Sequence, residues 1–330
     1  MSSVSLGWAL LGTGSVSHSV ASDLALVSGA KQVSVWSRTG ENAQRFAGMH
    51  HFERSSSSLD EVLGDSEVDL VYIATPHATH AEFALAALRA GKHVLVEKPI
   101  GVNAAEAREI AAAAKTHDRF AMEAMWMRFN PTYRSLRADV TAGVIGQPQA
   151  VRATFGLPFG ASDSERWSSE RRSSTLLDQA IYAVTFARDV LGDPECILSR
   201  ASVRGDDVDL TLHATLEYPG GRFAQLAASM VTYLEPSASV SGTNGWSTLA
   251  APFWATDRYT THSGDFATAF GAPDERVLPT EGNGYVPMLR GVQESILTGE
   301  REHRLHPLSE SIAVMDILDQ IRDSWPATTS

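Results

Sequence analysis

Short, continuously apolar segments alternate with helix-like stretches over the first 125 residues of the chain. The apolar segments predict buried strands at residues 8–11, 33–36, 68–74, 93–96 and 120–123. The stretches between them predict helices at residues 16–28, 42–50, 79–90 and 104–117. For the third helix, Thr79 and Glu82 form a candidate capping box and Gly91 follows the end. Such alternation is typical of a parallel sheet covered by helices on both faces.

The hydrophobic pattern changes after residue 125. Segments 150–155, 208–218 and 223–231 have strong β propensity, and helices are predicted at 132–142, 175–191, 285–298 and 308–324. Apolar and polar residues alternate along 210–217, which predicts a strand with one apolar and one polar face. Pro219-Gly220-Gly221 predicts a hairpin turn after it. We therefore expect a second α/β domain at residues 126–330, built on a large, mostly antiparallel open sheet, with the alternative that its last helix packs back on the first domain.

Composition restricts the partners more than the fold. The chain has 330 residues, which is enough for two domains, and its formal net charge of −12 argues against a nucleic-acid partner, which would need a basic surface. No apolar run approaches the roughly 18 residues of a membrane span, and no targeting segment is visible, so we expect a cytoplasmic protein without a membrane partner. The single cysteine, Cys196, excludes an intramolecular disulfide and is expected to be buried and inert.

A glycine-rich turn joins the first predicted strand to the first predicted helix. Glycines let the backbone approach a pyrophosphate, and the N–H groups of a helix N-terminus stabilise its charge. The alternative is a turn that needs glycine only for its own geometry. Because the turn lies at the first strand–helix junction of an α/β domain, we expect a Rossmann domain at residues 1–125. The residues predicted to bind the dinucleotide there are Gly12, Thr13, Gly14, Ser15 and Val16, with Ser17 in place of the third glycine of the motif.

The end of the second predicted strand indicates which dinucleotide binds. Enzymes that use NAD usually carry an acidic residue there for the ribose 2′-hydroxyl. This chain has Ser37 and Arg38, and no acid before Glu41. An arginine pairs with a 2′-phosphate that a carboxylate would repel, so we expect NADP, with NAD possible. The alternative is that Arg38 is solvated and stacks on adenine in an enzyme that accepts both cofactors.

Two further motifs carry candidate chemistry. Glu97-Lys98-Pro99 follows the fourth predicted strand, at the carboxyl edge where open α/β sheets bind ligands. Downstream, Asp178 and Tyr182 are four residues apart, so they share one face of a predicted helix. Spacing alone leaves Tyr182 open between a catalytic residue and a core tyrosine.

With these motifs in place, the chain resembles the Gfo/Idh/MocA oxidoreductase family, in particular its branch of dimeric dihydrodiol dehydrogenase, 1,5-anhydrofructose reductase and xylose dehydrogenase. The resemblance extends over nearly the whole chain. It is carried by residues 74–77, 91–99, 123–129, 177–182, 242–245 and the last predicted helix.

The resemblance implies hydride transfer between a nicotinamide and a carbonyl or hydroxyl carbon of a sugar, polyol or cyclic diol. Lys98, Asp178 and Tyr182 match the catalytic set, in which Tyr182 stands where other members have histidine. A lysine cation within reach lowers the pKa of a tyrosine, so Tyr182 would be the proton donor and acceptor, assisted by Lys98. Asp178 would position Lys98 or a substrate hydroxyl. The resemblance adds Thr75, Pro76, His77, Glu97 and Lys98 to the expected cofactor contacts.

Further residues are predicted to line the substrate pocket, and an oligomer is expected. Trp126, Arg128, Phe155 and Trp167 are predicted to line the substrate pocket beside Asp178, although aromatic residues near a domain junction are more often core. The segment 171–174 and Gln179 depart from the family pattern and bear on pocket shape. No metal is expected, because neither His77/His80 nor His303/His306 has a third ligand nearby. Related enzymes assemble through the C-terminal sheet, so a homodimer or homotetramer is expected.

Two other functional classes stay open at this stage. The chain would be a glycosidase-like enzyme of the same superfamily if it retained NAD, used it for redox steps during glycoside cleavage and returned it unchanged. It would be a non-catalytic NADP-sensing protein if it only reported cofactor binding. Lys98, Asp178 and Tyr182 argue against the sensor, because a sensor needs no proton donor.

Overall fold

The computed structural model describes residues 5–159, 168–170 and 172–325. The chain forms two compact units, Met1–Phe129 with Glu281–Ile312 and Asn130–Thr280 with Ala313–Ser330. The first unit therefore takes in a segment from near the end of the chain. The domain boundary between residues 125 and 126 stays a prediction.

A six-stranded parallel sheet forms the centre of the first unit, in the order β3-β2-β1-β4-β5-β6. The chain enters at β1 and the strand order reverses between β1 and β4, which is the arrangement of a Rossmann fold. The predicted fold class is confirmed here. The strands are Leu6–Leu11 (β1), Ala30–Trp36 (β2), Arg54–Ser56 (β3), Leu70–Ile73 (β4), His93–Val96 (β5) and Ala121–Glu123 (β6).

The helices of the first unit agree with the apolar pattern, with one difference at a helix start. Thr79 does not cap the third predicted helix, because its Oγ1 donates to Pro76 O (2.8 Å) and the helix begins at His80. The sequence also missed β3 and a short helix after it, since neither has an apolar run of its own. The helices are Ser15–Leu24 (α1), Gly40–His50 (α2), Leu59–Gly64 (α3), His80–Arg89 (α4), Ala104–Thr116 (α5) and Val286–Leu297 (α9).

A buried carboxylate joins the late segment to the first unit. Asp23, on α1, is fully buried and accepts the N–H groups of Asn283 (2.8 Å) and Tyr285 (2.8 Å). Trp8 on β1 is also fully buried, and its indole N–H donates to Gln293 on α9 (3.3 Å). Polar contacts from buried groups fix the position of a segment more sharply than apolar packing alone.

An eight-stranded sheet forms the centre of the second unit, in the order β14-β13-β12-β11-β7-β10-β9-β8. Only β7 and β10 pair in parallel, so the prediction of a mostly antiparallel sheet is confirmed. The strands are Pro148–Gly156 (β7), Cys196–Val203 (β8), Asp209–Tyr218 (β9), Arg222–Ser229 (β10), Ala238–Gly242 (β11), Gly245–Leu249 (β12), Arg258–Ser263 (β13) and Asp274–Val277 (β14).

Helices cover one face of this sheet. Along β9, Leu212, Ala214 and Leu216 are buried while His213 and Glu217 are exposed, so the predicted alternation is confirmed. The predicted hairpin turn at Pro219–Gly221 joins β9 to β10. The helical segments are Pro131–Thr141 (α6), a π-helical turn at Leu176–Ala180, Ile181–Leu191 (α7), Phe266–Ala269 (α8) and Leu308–Asp323 (α10), which continues from the first unit.

The burial predicted for Cys196 is wrong. Its side chain is exposed, because it begins β8, the edge strand of the sheet, along which Ser199 is the one buried position. Among the residues that the structure describes, no helix combines the length and the apolar character needed to span a bilayer.

Candidate active site

The turn between β1 and α1 has the backbone geometry that a dinucleotide pyrophosphate needs. Gly12 has a φ of 106°, and a Cβ there would lie 2.4 Å from Ala74 O, so only glycine fits. Gly14 precedes α1, and a Cβ at that position would meet nothing within 4 Å. Within the described part of the chain, no side chain caps α1 at Gly14, so the first N–H groups of the helix keep their capacity for a phosphate. Ser15 and Val16 form the first turn of α1, and the predicted cofactor residues come together here.

The end of β2 lies beside this turn. Ser37 is buried, and its Oγ lies 3.3 Å from Thr13 Oγ1. Arg38 is exposed directly after it, and Thr39 accepts the Asn42 N–H (3.4 Å) at the start of α2. No carboxylate precedes Glu41 in this segment. A hydroxyl and a guanidinium therefore lie at the end of β2, next to the glycine turn.

Lys98 sits in a turn that buried side chains hold on both sides. The Lys98–Pro99 peptide bond is cis, and Glu97 accepts the Lys98 N–H through Oε2 (3.0 Å) and the Tyr72 hydroxyl through Oε1. Burial raises the pKa of Glu97 to about 7, against the hydrogen bonds from Tyr72 and the Lys98 N–H and the Lys98 charge. Glu97 therefore contacts the turn itself, and a part in cofactor binding through that turn stays a prediction.

The loop after β4 is tied to the same turn by His80. Its ring is fully buried, with Nδ1 2.7 Å from Pro99 O and Nε2 2.8 Å from Thr75 O. Thr75, Pro76 and His77 lead from β4 into a 3₁₀ turn at His77–Thr79 and are half-buried. No sequence motif indicates this link, because residues 75 and 99 are brought together only by the pairing of β4 with β5.

Two predicted pocket residues are engaged inside the first unit. Trp126 is buried and stacks on Tyr285, with ring centroids 4.9 Å apart. Arg128 is buried, and its guanidinium lies 2.9 Å from His306 Nδ1 and 2.6 Å from Glu310 Oε2. Contact of either residue with a substrate stays a prediction.

Asp178 and Tyr182 lie on one helical segment of the second unit, which opens with the π-helical turn. A π-turn inside a helix is often found at functional sites. Asp178 is half-buried in this turn, and Tyr182 is buried in the first turn of α7. Asp209, missed from the sequence, accepts the Leu176 N–H (2.7 Å) and fixes the start of the segment, and burial raises its pKa.

An aromatic cluster surrounds Tyr182. Phe155 and Trp254 stack face to face, with centroids 3.7 Å apart and planes at 11°. The Tyr182 ring lies 5.6 Å from Trp254 and 6.0 Å from Phe155. Trp254 is half-buried and was missed, because nothing in its spacing distinguished it from the other tryptophans. The cluster offers flat apolar surface next to a phenol hydroxyl.

The departures from the family pattern fall beside this cluster. Gln179 is fully buried, and its Nε2 lies 3.4 Å from Leu157 O, at the end of β7. Ser174 Oγ accepts the Leu177 N–H (3.1 Å), so this serine contacts the first turn of the π-helical segment. Trp167 and Arg171 lie outside the described residues.

Comparison with known proteins gives the same family at both ends of the chain. Residues 6–125 match the Gfo/Idh/MocA model described as an oxidoreductase family with an NAD-binding Rossmann fold. Residues 133–248 match the Gfo/Idh/MocA C-terminal domain. The trans-1,2-dihydrobenzene-1,2-diol dehydrogenase of Bos taurus is 33% identical over 97% of this chain and 96% of its own length.

Solved structures show the same fold at lower identity. A 3-ketoreductase from Actinomadura kijaniata, in complex with NADP and TDP-benzene, superposes with a TM-score of 0.86 at 23% identity, covering 97% of this chain and 98% of that chain. A levoglucosan dehydrogenase in complex with NADH and levoglucosan superposes with a TM-score of 0.87 at 20% identity, covering 97% of each chain.

Proposed function

The chain belongs to the Gfo/Idh/MocA family of NAD(P)-dependent oxidoreductases, and on that premise we propose that it interconverts a carbonyl and a hydroxyl group on a sugar, polyol or cyclic diol with NADP(H). The observation that carries this proposal is the helical segment that presents Asp178 and Tyr182 next to the Phe155–Trp254 stack. Its relatives include dihydrodiol dehydrogenases, and its structural neighbours include enzymes named for sugar substrates.

NADP is proposed over NAD because of the residues after β2. Exposed Arg38 follows buried Ser37, and a guanidinium pairs with a 2′-phosphate through charge-assisted hydrogen bonds. Such bonds contribute about 1.5–3 kcal/mol, or about 10- to 100-fold in affinity. Arg38→Ala should weaken NADPH binding by about that factor and NADH binding much less, as measured by fluorescence titration.

The matched control for this test is Arg45→Ala. Arg45 lies on α2 in the same unit, is exposed, and donates to Asn42 (2.6 Å). We expect both dinucleotides to bind this variant as they bind the wild type. Equal losses of NADPH and NADH affinity in Arg38→Ala would contradict the assignment of NADP.

When bound, the cofactor supplies or accepts a hydride at C4 of its nicotinamide. The chain must then move a proton at the substrate oxygen, and we assign this role to the Tyr182 hydroxyl. Lys98 supplies a cation that favours the tyrosinate and polarises the carbonyl oxygen, while Asp178 orients Lys98 or a substrate hydroxyl. Gly12 and Gly14 would hold the pyrophosphate of the cofactor, and Thr75, Pro76 and His77 would contact it as well.

Tyr182→Phe tests the proton transfer. It should lower kcat by about 10²- to 10⁴-fold, because general acid–base catalysis is lost, while NADPH affinity stays unchanged. Tyr218→Phe is the control, since Tyr218 is another buried tyrosine of the second unit and its hydroxyl has no hydrogen-bond partner among the described residues. An unchanged kcat in Tyr182→Phe would remove this residue from the mechanism.

The aromatic cluster favours a substrate with an apolar face. Aromatic rings pack against C–H surfaces of sugars and against the rings of cyclic diols. We therefore propose that Phe155 and Trp254 hold the ring of the substrate while Tyr182 meets its reacting oxygen. Turnover of NADPH with a panel of ketoses, osones, aldoses and cyclic diols would identify the class. Tight dinucleotide binding without turnover on any member would favour the sensor or the glycosidase-like enzyme instead.

Assembly through the eight-stranded sheet is proposed as well. The edge strand β8 exposes Leu198 at 56%, and Val231 and Tyr233 after β10 are exposed at 44% and 79%. A second copy of the chain would cover such apolar side chains. Light scattering at micromolar concentration should give the mass of a dimer or tetramer, and a monomer would contradict the proposal.

A further inference from the structure

We propose that Glu123 is a positioning residue for Lys98, and that it acts together with His306 and Arg128 as one buried unit. The inference rests on the proposed function, in which Lys98 acts at the reacting oxygen. It gives Arg128 a role inside the first unit.

Glu123 binds the backbone directly after the Lys98 turn. It is the last residue of β6, is fully buried, and pairs with Val96 at the end of β5. Its Oε1 accepts the Ile100 N–H (2.9 Å), two residues beyond Lys98. Glu97 accepts the Lys98 N–H on the other side (3.0 Å). The backbone that carries Lys98 is therefore held by a buried carboxyl group at each end of the turn.

The protonation of His306 follows from its neighbours. Arg128 Nη1 lies 2.9 Å from His306 Nδ1, and a guanidinium has only donors, so Nδ1 must accept. The ring proton is then on Nε2, which lies 2.9 Å from Glu123 Oε2 and donates to it. His306 is a neutral ring in one fixed tautomer, joining a cation to an anion. The sequence suggested His306 only as a poor metal ligand.

The negative charge of Glu123 strengthens the hydrogen bonds that hold these residues in place. Both oxygens of Glu123 accept, Oε1 from the Ile100 N–H (2.9 Å) and Oε2 from His306 Nε2 (2.9 Å), so the carboxyl group is paired as an anion on each side. Glu123 is thus a buried anion, and hydrogen bonds to an anion are shorter and stronger than neutral ones. A carboxylate in this setting has no low-energy alternative to these partners, so the Ile100 N–H stays where Glu123 holds it.

A glutamine at position 123 would keep the size of the side chain but could not accept both of these hydrogen bonds. The carboxylate accepts on both sides, whereas an amide has one accepting oxygen and one donating NH2 group. If the oxygen meets the Ile100 N–H, the NH2 group meets the His306 Nε2–H, and two donors face each other. Glu123→Gln therefore loses one of the two bonds and loosens the turn that carries Lys98.

The experiment is a double-mutant cycle on Glu123→Gln and Lys98→Met, with single-turnover rates and KM measured with NADPH and an active substrate, and NADPH affinity by fluorescence. A misplacement of about 1 Å can cost about 100-fold in rate, so we expect Glu123→Gln to lower the rate by about 10- to 100-fold with little change in NADPH affinity or KM. In the Lys98→Met background, the same substitution should have almost no further effect, because the group it positions is gone.

Glu106→Gln is the matched control. Glu106 accepts the Val102 N–H (2.9 Å), so it also holds the backbone of this loop, but two residues further on and without a histidine partner. The rate of this variant should stay within about threefold of the wild type, because the Val102 N–H that Glu106 holds is four residues beyond Lys98. If Glu123→Gln does not fold, Ser311→Ala takes its place in the cycle, because the Ser311 hydroxyl lies 3.0 Å from His306 Nε2.

The outcomes separate this inference from the proposed function. An unchanged rate in Glu123→Gln, or an equal loss in both backgrounds, overturns the positioning role and leaves the function of Lys98 intact. A Lys98→Met variant with the wild-type rate overturns the proposed role of Lys98 itself. Loss of the rate in Lys98→Met, with a Glu123 effect only when Lys98 is present, supports both.

Discussion

Glu97 couples the folding of this chain to pH, and Glu97→Gln is the substitution that isolates the coupling. The carboxyl group is buried beside Lys98 and accepts hydrogen bonds from Tyr72 and the Lys98 N–H. Burial raises its pKa from 4.5 to about 7. Glutamine has a similar size and no ionisation near neutral pH, so it removes the titration and leaves the packing nearly unchanged.

The sign of the effect follows from proton binding. Below pH 4.5, Glu97 is protonated in the folded and the unfolded chain, and it contributes no pH dependence. Between 4.5 and about 7 the unfolded chain releases this proton and the folded chain keeps it, so the free energy of unfolding falls as pH rises. At about 1.36 kcal/mol per pH unit, the loss across this window is about 3 kcal/mol. Above pH 7 the contribution is constant.

The assay is urea unfolding of the wild type and Glu97→Gln at fixed pH values from 4.5 to 8. The stability of Glu97→Gln relative to the wild type should rise by about 3 kcal/mol over the window, with most of the change below pH 7. Glu41→Gln is the control, because Glu41 is an exposed glutamate on α2 of the same unit. A difference between wild type and Glu97→Gln that stays constant with pH would refute the assignment of the raised pKa.

Two further predictions concern the cofactor turn and the aromatic cluster. Gly12→Ala should weaken NADPH binding by at least about tenfold, because a Cβ at a φ of 106° would lie 2.4 Å from Ala74 O. The control is Gly48→Ala on α2, where a Cβ would meet nothing within 4 Å. This variant should leave the stability of the fold unchanged or raise it by about 0.5–1 kcal/mol. NADPH affinity from titration and the midpoint of thermal unfolding distinguish the two variants. Equal NADPH affinity and equal stability in both would contradict the geometric role of Gly12. Trp254→Leu should raise KM for a cyclic substrate by about 2- to 10-fold without changing NADPH affinity, because a lost aromatic contact costs about 0.5–1.5 kcal/mol. An unchanged KM would remove Trp254 from the pocket.

Local pattern was enough to predict most of the fold. The apolar runs predicted five of the six strands of the first sheet, because strands covered on both faces need side chains that are apolar on both. The strand that was not predicted, Arg54–Ser56, is a polar edge strand with exposed or half-buried residues. The same reason explains Cys196, since an edge position cannot be recognised from residue type alone.

The motifs of the candidate site were predicted from the sequence, but the residues that contact and position them were missed. Glycine spacing marks the cofactor turn, because a positive φ at Gly12 excludes other residues. The partners of the proposed catalytic residues have no comparable signal in the sequence. Trp254, Asp209 and His306 are 20 or more residues away from what they support, so no local spacing connects them to it.

The sequence by itself determined the class of fold, the place of the dinucleotide turn and the candidate chemistry at Lys98, Asp178 and Tyr182, because each is fixed by local periodicity or by residues close along the chain. Only the tertiary structure decided which buried groups hold the Lys98 turn, which tautomer His306 adopts and which aromatic ring faces Tyr182. Those facts depend on strand pairing and on segments distant in sequence, where a bond within about 3 Å decides both protonation and position.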